Sequence, residues 1–223
     1  PSARDAGVRH HAAIVLAARG SARLGRPKQL LTRDGEALVH RAVRLAAATH
    51  PSRLVVVTGA HEREVAAALQ VIAVDLRLER VANAEWPKGL STSLAAAANA
   101  LHGLDAPSLV LVCDQPALRE DHLRALPDGA AHAPSGCAAT RHGIRLGVPA
   151  VVSARLLAQS RELHGDAGLG ARLSALDGVW VLDAPELALD VDTPDDVARA
   201  IARGWLDETG MQTPPARNEG RNE

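Results

Sequence analysis

The segment AAIVLAARGSARLGRPKQLL, residues 12–31, decides how this chain folds. Its first six residues form a continuous apolar run, and the residues after them are mostly small or cationic, with glycine at positions 20 and 25. A short unbroken apolar run is typical of a strand that is buried on both faces of a parallel sheet. The segment therefore predicts a central β-strand over 12–17 that ends in a glycine-containing loop.

The rest of the chain continues this pattern by alternating helices and strands. Spacing and composition predict helices over 37–48, 62–69, 91–101, 153–163, 169–176 and 193–203, and strands over 54–58, 109–113, 179–182 and 188–191. The apolar runs 137–140 and 144–148 flank His142-Gly143 and predict a hairpin. This order predicts a Rossmann-like three-layer α/β/α sandwich, whose mostly parallel sheet has an antiparallel excursion in its C-terminal half.

Composition narrows the class of protein. The formal net charge is -1, and the chain has no Phe or Tyr, so it lacks both the basic excess and the aromatic surface that nucleic-acid binding uses. Cys113 and Cys137 have no metal-binding spacing, which favours a reducing cytoplasm, and no apolar run reaches the roughly 20 residues of a membrane helix. We therefore expect a cytoplasmic, monomeric domain over 10–206 that acts on small molecules, with mobile polar tails at 1–9 and 207–223.

The loop after the first predicted strand has the composition of an anion cradle. Gly20 and Gly25 allow the backbone to approach a phosphate, and Arg23 and Lys28 supply positive charge. Two familiar phosphate loops do not fit. A Walker A loop requires Lys-Ser or Lys-Thr where Arg26-Pro27 stands, and the dinucleotide fingerprint GxGxxG fails because position 22 is alanine.

Acidic residues follow two other predicted strands. Asp114 comes directly after the run 109–113, at the carboxyl end of the sheet, where open α/β sheets bind their ligands. Asp190 and Asp192 alternate in the predicted strand 188–191 and its continuation, which would place their carboxylates on one face. Because Mg²⁺ prefers carboxylate oxygens, we expect one of this pair to join Asp114 on a magnesium ion.

At these residues the chain resembles the nucleotidyltransferases of the molybdenum cofactor, and within them the cytidylyltransferase branch. The family loop reads LAAGxSxRMGxxK, and this chain reads LAARGSARLGRPK. The resemblance extends over nearly the whole domain. Its further matches are Asn83 with 86–89 and Ser93, Cys113-Asp114-Gln115-Pro116, Gly147-Val148-Pro149, Gly165-Asp166-Ala167-Gly168 and Asp190-Val191-Asp192-Thr193-Pro194.

The resemblance implies transfer of CMP from CTP to the phosphate of molybdopterin, with release of pyrophosphate. It implies that Lys28, Arg23 and Asp114 are catalytic, and that Asp114 and Asp192 hold Mg²⁺. Ala18 matches the cytidine branch, where the guanine branch has glycine, and a molybdoenzyme or its chaperone is the expected recipient of the product. The nucleotide-binding residues implied are Leu16, Ala17, Ala18, Arg19, Gly20, Ser21, Arg23, Gly25, Lys28, Asn83 and Ser93.

One position departs from the family pattern, because Arg19 stands where the first loop glycine is expected. If that position needs a positive φ or open space beside a phosphate, arginine weakens nucleotide binding; otherwise it adds a phosphate contact. Three functions stay open: the molybdopterin cytidylyltransferase, a nucleotidyltransferase acting on a sugar phosphate or other acceptor, and a non-catalytic nucleotide- or cofactor-binding homologue. An anionic pterin is expected near the hairpin, at Arg141, His142, Arg145 and His164, and Trp86 would either stack on a ligand or pack.

Overall fold

The computed structural model of this chain describes residues 10–73 and 76–208. The predicted tail 1–9, and the predicted tail 207–223 beyond its first two residues, lie outside the described part. The strands are β1 (Ala12–Ala17), β2 (Thr32–Arg33), β3 (Glu36–Ala37), β4 (Arg53–Thr58), β5 (Leu78–Ala82), β6 (Ser108–Val112), β7 (Ala138–His142), β8 (Arg145–Val152) and β9 (Trp180–Asp183). The α-helices are α1 (Leu38–Ala47), α2 (Glu62–Ala73), α3 (Leu90–Ala100), α4 (Glu120–His132), α5 (Ala154–Ala158), α6 (Leu169–Ser174) and α7 (Pro194–Ala202).

Seven strands form one sheet in the order β5-β4-β1-β6-β8-β7-β9, and β2 and β3 pair separately. Strands β4, β1, β6 and β5 are parallel, whereas β8 runs antiparallel to both β6 and β7. Strand β9 is parallel to β7. The sheet therefore confirms the predicted fold class, including the antiparallel excursion in the C-terminal half.

The sheet is covered on both faces. Alternate residues of β1 enter different cores: Ala13 and Val15 pack with α1, α2 and α4, whereas Ile14 and Leu16 pack with α3, α5 and α6. This alternation is the reason why the β1 run has no polar residue, because each side chain faces a layer of helices. No helix in the described part of the chain is long and apolar enough to cross a membrane.

The predicted strand over 188–191 is wrong. Residues 185–188 form a short 3₁₀ turn, and the segment after it pairs with no sheet strand. Its alternation has another cause, since Leu189 and Val191 are buried in a small cluster with α7. The predicted helix over 153–163 is also shorter than expected, because α5 ends at Ala158 and a 3₁₀ turn, Gln159–Glu162, follows.

Strand β5 and helix α4 were not predicted, nor was the short pair β2-β3. Strand β5 contains the charged residues Glu79 and Arg80. It is an edge strand of the sheet, where charged residues are tolerated because one edge of the strand has no neighbouring strand and faces solvent. Helix α4 contains Pro127 and Gly129, which disfavour helix in a sequence pattern. Gly129 is needed for packing, because a Cβ there would lie 2.2 Å from the ring of Trp180.

Helix α7 completes the fold near the loop after β1. The sequence predicts a helix over 193–203, and Thr193 caps it: the Thr193 side chain accepts a hydrogen bond from the Asp196 amide, and Pro194 is the first helical residue. The helix packs Val197 and Ala200 into a small core that also contains Leu24 of that loop. Asp207, the first residue of the predicted tail, accepts hydrogen bonds from the amides of residues 34 and 35 in the β2-β3 turn.

Candidate functional site

The carboxyl ends of the parallel strands bring four loops to one edge of the sheet. These loops follow β1, β4, β5 and β6, which are neighbours in the sheet order. The loop over 18–27, called the donor loop below, follows β1 in the middle of this group. Ligands of open α/β sheets bind at this kind of edge.

Lys28 lies at the centre of the site and joins both predicted metal ligands. Its Nζ is 2.5 Å from Asp114 Oδ2 and 2.6 Å from Asp192 Oδ1. The Lys28 side chain is only 2% exposed. Arg23 contacts the other oxygen of Asp192 at 2.9 Å, and its side chain is 68% exposed. The structure therefore brings together the four residues that the sequence assigns to catalysis and metal binding.

Backbone pairing places Asp192 beside Asp114. The amide of Val191 donates a 2.9 Å hydrogen bond to the carbonyl of Asp114. On its other side, Asp192 donates its amide to the carboxylate of Asp196, which belongs to the first turn of α7. Asp192 is thus fixed between the loop after β6 and a capped helix start, and not by a strand.

The charges of the site shift three pKa values. Burial alone lowers the pKa of Lys28, but the charges and hydrogen bonds of Asp114 and Asp192 outweigh burial and raise that pKa above its usual value. Partial burial opposes the shift of Asp192, yet Lys28, Arg23 and Arg19 together lower its pKa. Asp190 is an exposed residue, but desolvation of its carboxyl by neighbouring atoms and the charge of Asp114 raise its pKa. Lys28 is therefore a permanent cation at neutral pH.

The donor loop is held by two polar side chains. Gln29, fully buried, donates from Nε2 to the carbonyls of Ala17 (2.9 Å) and Arg19 (2.8 Å). Ser21 accepts the amide of Lys28 on its Oγ at 3.1 Å, and its carbonyl accepts the amide of Gly25, whose φ is +73°. The loop is therefore fixed in shape before any ligand binds.

A cavity of about 560 Å³ lies on the β4 side of the donor loop. Its lining comprises Arg19, Gly20, Ser21, Ala22, Gly25, Ala60, His61, Trp86, Pro87, Gly89 and Asp166. The Trp86 ring packs closely against the loop, and a Cβ at Gly20 would lie 2.9 Å from it. Its packing role is therefore established, and its ring also faces the cavity.

Arg19 lies on the rim of this cavity with an exposed side chain. Its backbone is absent from the positions with a positive φ, so the strain expected of an arginine at a glycine position does not arise. In the described part of the chain its guanidinium makes no hydrogen bond, whereas Lys28 and Arg23 are both paired with carboxylates. Arg19 is a cation that remains available to a ligand.

The other predicted nucleotide-binding residues lie around this loop. Leu16, Ala17 and Ala18 line a small cavity of about 20 Å³ with Lys28, Ser93 and Asp114. Asn83 is buried and donates to the hydroxyls of Thr92 and Ser93 at 2.9 and 3.1 Å. Asn83 thus connects the loop after β5 to α3. Of the two predicted residues Asn83 and Ser93, only Ser93 lines the small cavity.

The carboxylates suit a divalent cation. Asp114 Oδ1 is buried and has no hydrogen-bond partner among the described residues, so one of its oxygens is free for a ligand. No group of three or more His, Cys, Asp or Glu within 10–73 and 76–208 forms a metal site by itself. A cation held here would need further oxygens from water or substrate, which is the usual manner of Mg²⁺.

Of the residues predicted for the acceptor, Arg141, His142 and Arg145 share the β7-β8 hairpin, and His164 lies apart from them. Arg141 pairs with Asp183 at 3.1 Å, and a ring nitrogen of His142 donates to the carbonyl of Val148. Strand β8 runs antiparallel to β6, and its first residues lie beyond the last residue of β6. The β7-β8 hairpin therefore projects from the same sheet edge as Asp114. His164 instead lines a separate cavity of about 460 Å³ with Asn83, Lys88 and Arg161.

Two polar residues of the site, Gln29 and His61, were not predicted from the sequence. Gln29 follows the predicted catalytic lysine, and its only signal is a polar residue at the start of an apolar stretch. His61 lines the 560 Å³ cavity with a left-handed backbone at φ +55°, immediately before α2. An open cavity of about 570 Å³ at the opposite end of the sheet, lined by residues such as Asp105 and Pro134, contains none of these residues.

Three solved structures share the fold. A homologue of Rv0371c from Mycobacterium sp. strain JC1 is 30% identical, with a TM-score of 0.68 over 86% of this chain and 96% of the other. A nucleotidyl transferase, Mth528, from Methanothermobacter thermautotroptrophicus is 25% identical, with a TM-score of 0.72 over 87% and 97%. Rv0371c from Mycobacterium tuberculosis H37Rv, in complex with manganese, is 24% identical, with a TM-score of 0.67 over 88% and 100%.

Comparison of the sequence with known proteins identifies the family of the chain. The bifunctional protein GlmU of Jannaschia sp. (strain CCS1) is 36% identical over 118 residues, which are 52% of this chain and only 25% of that protein. The model of the MobA-like NTP transferase domain matches residues 13–179, a span that contains the donor loop and Asp114. The chain is a nucleotidyltransferase that belongs to the family of MobA-like NTP transferase domains.

Proposed function

We propose that residues 10–206 form one catalytic unit that transfers CMP from CTP to the phosphate of molybdopterin, in the cytoplasm. The observation that carries the catalytic part of the proposal is the contact of Lys28 with both Asp114 and Asp192 beside a pre-shaped glycine loop. The choice of CTP and molybdopterin rests on the resemblance of the donor loop, including Ala18, to the cytidylyltransferases of this cofactor.

The donor nucleotide fits the 560 Å³ cavity, with its triphosphate turned toward Lys28. Arg19, Ser21 and Gly25 line that cavity, and Arg19 and Lys28 both line the small cavity that adjoins it. Cationic side chains on this path would neutralise the triphosphate. The nucleoside would lie near His61 and Trp86, and the reaction requires the α-phosphate to come within reach of a cation held by Asp114.

Asp114 and Asp192 would hold Mg²⁺ together with phosphate oxygens and water. The relative Rv0371c binds manganese, which supports a divalent cation in this fold. Mg²⁺ bound there would act as a Lewis acid and reduce the negative charge on the α-phosphate. Asp114 Oδ1, buried and without a partner among the described residues, is the oxygen most available for this purpose.

The proposed reaction needs alignment more than proton transfer. An oxygen of the acceptor phosphate forms a bond to the α-phosphorus, the bond from that phosphorus to the bridging oxygen breaks, and pyrophosphate leaves with the electron pair. Because the second pKa of a phosphate monoester is near 6, the attacking oxygen is already ionised at pH 7 and needs no general base. Lys28, Arg23 and Arg19 would stabilise the charge of the leaving group and orient it.

The test is pyrophosphate release from CTP or GTP with Mg²⁺ and molybdopterin. We expect turnover with CTP that Asp114→Asn abolishes, while Asp105→Asn, an acidic residue at the opposite end of the sheet, leaves it unchanged. Turnover with GTP and none with CTP would overturn the assignment of CTP as the nucleotide.

The acceptor is tested with the same assay. Turnover with a sugar phosphate in place of molybdopterin would favour the second enzyme that the sequence leaves open. Binding of CTP and Mg²⁺ without turnover on any acceptor would favour a nucleotide-binding homologue that has lost catalysis. Melting curves of native protein and of each variant distinguish loss of folding from loss of chemistry.

A further inference from the structure

Lys28 occupies the position between the two carboxylates that a divalent cation would use. Its ammonium is within hydrogen-bond distance of one oxygen from Asp114 and one from Asp192. The side chain is buried, so solvent does not compete for these contacts. A lysine with two carboxylate partners is also firmly charged, and it neutralises a carboxylate pair that would otherwise repel itself.

This arrangement conflicts with direct binding of a divalent cation by both carboxylates. Mg²⁺ requires oxygen ligands at about 2.0–2.1 Å, and the oxygens that face one another here already hold the ammonium. The remaining oxygens of the pair do not remove the conflict, because Asp192 Oδ2 binds Arg23 and only Asp114 Oδ1 has no partner among the described residues. A second cation at this position would be repelled by the buried ammonium.

The structure provides space for Lys28 to move. The cavity of about 20 Å³ beside its side chain is lined also by Ala18, Arg19, Ser93 and Asp114. Such a volume is enough for about one water molecule. Lys28 has a flexible four-carbon stem, so its ammonium can turn into this space and toward a triphosphate that lies along the donor loop.

On the proposed nucleotidyl transfer, we infer that Lys28 is the resident counter-ion of the carboxylate pair and that it leaves Asp114 and Asp192 only when a triphosphate offers it new negative charge. Metal and nucleotide then bind together and each strengthens the other, because both depend on the same movement of one lysine. The protein alone binds divalent cations weakly.

The experiment measures Mn²⁺ binding to the protein without nucleotide, by electron paramagnetic resonance of free Mn²⁺. We compare native protein with Lys28→Met, Lys28→Gln and the charge-conserving Lys28→Arg. The neutral variants lose the competing ammonium, so we expect them to bind Mn²⁺ more tightly than native protein, by about 5- to 150-fold, the usual range of coupling between two ligands. Lys28→Arg is expected to stay within a few-fold of native, and Asp114→Asn to bind more weakly.

Melting curves identify any variant that does not fold, and the two neutral variants guard against failure of one of them. If folded Lys28→Met and Lys28→Gln bind Mn²⁺ no more tightly than native protein, the inference is overturned. Binding of α,β-methylene-CTP with Mg²⁺ by the same native sample would leave the proposed function standing in that case. If native protein binds no analogue at all, the proposed function fails and the inference fails with it.

Discussion

Replacing Arg19 tests whether this departure from the family loop helps or harms nucleotide binding. The guanidinium lies on the rim of the donor cavity, has no hydrogen bond within the described part of the chain and no positive φ to strain it. A hydrogen bond to a charged group contributes about 1.5–3 kcal/mol, and partial solvent exposure reduces this to about 1–2 kcal/mol. We therefore expect Arg19→Gln to weaken CTP binding by about 5- to 30-fold.

The assay is a titration of CTP and CMP by calorimetry, with Mg²⁺ present. Arg26→Gln, in the same loop but outside the cavity lining, controls for the loss of general positive charge. The loss should be larger for CTP than for CMP, and it should decrease as salt screens the contact. The reasoning is refuted if Arg19→Gly, which restores the family residue, binds CTP more tightly or turns over faster than native protein, because arginine would then obstruct the loop.

Two further predictions concern stability. Gly89→Ala should lower the free energy of unfolding in urea by more than about 2 kcal/mol, because a Cβ there would lie 2.3 Å from the backbone of Gly165 and the φ of Gly89 is +116°. Gly103→Ala is the control: its φ is +82° but no atom lies within 4 Å, so it should lower that free energy by about 1–2 kcal/mol. Equal losses in the two variants would contradict the steric argument. Burial opposes the shift of Asp196, but hydrogen bonds from Thr193 and Arg199 lower its pKa from 3.8 to about 2, so its stabilising effect is present above about pH 4 and is lost as the pH falls toward 2. The gap between the urea midpoints of native protein and Asp196→Asn should therefore narrow from pH 6 to pH 2.5, and a constant gap would show that ionisation of Asp196 does not stabilise α7.

The sequence predicted the parts of the fold in which local pattern and tertiary role agree. The apolar run of β1 is buried on both faces, and Thr193-Pro194 starts a helix by local hydrogen bonding, so both follow from neighbouring residues alone. Strand β5 and helix α4 were missed because their conformation depends on contacts with residues that are distant in the sequence. Gly129 disfavours helix locally but lets α4 approach Trp180, which no local pattern contains.

The candidate site divides in the same way. The donor loop and Asp114 could be proposed because each directly follows an apolar strand, whereas the choice of Asp192 over Asp190 came from the family resemblance, and the strand predicted beside it is wrong. What could not be predicted from the sequence is which charged side chains contact one another. It gave no sign that Lys28 would bind both carboxylates, nor that Gln29 would hold the loop, because those contacts depend on the docking of segments far apart in the chain.

The separation of these partners has a consequence for protein synthesis. Lys28 is 86 residues from Asp114 and 164 residues from Asp192. A ribosome releases the donor loop first, and domains begin to fold from the N-terminus, but the second carboxylate emerges only 164 residues after Lys28. Because Leu24 of the donor loop packs with Leu189, Val191 and Val197, a chain that ends before these residues lacks both the second carboxylate and part of the core that supports the loop. On the proposed function, such incomplete chains would not consume nucleotide.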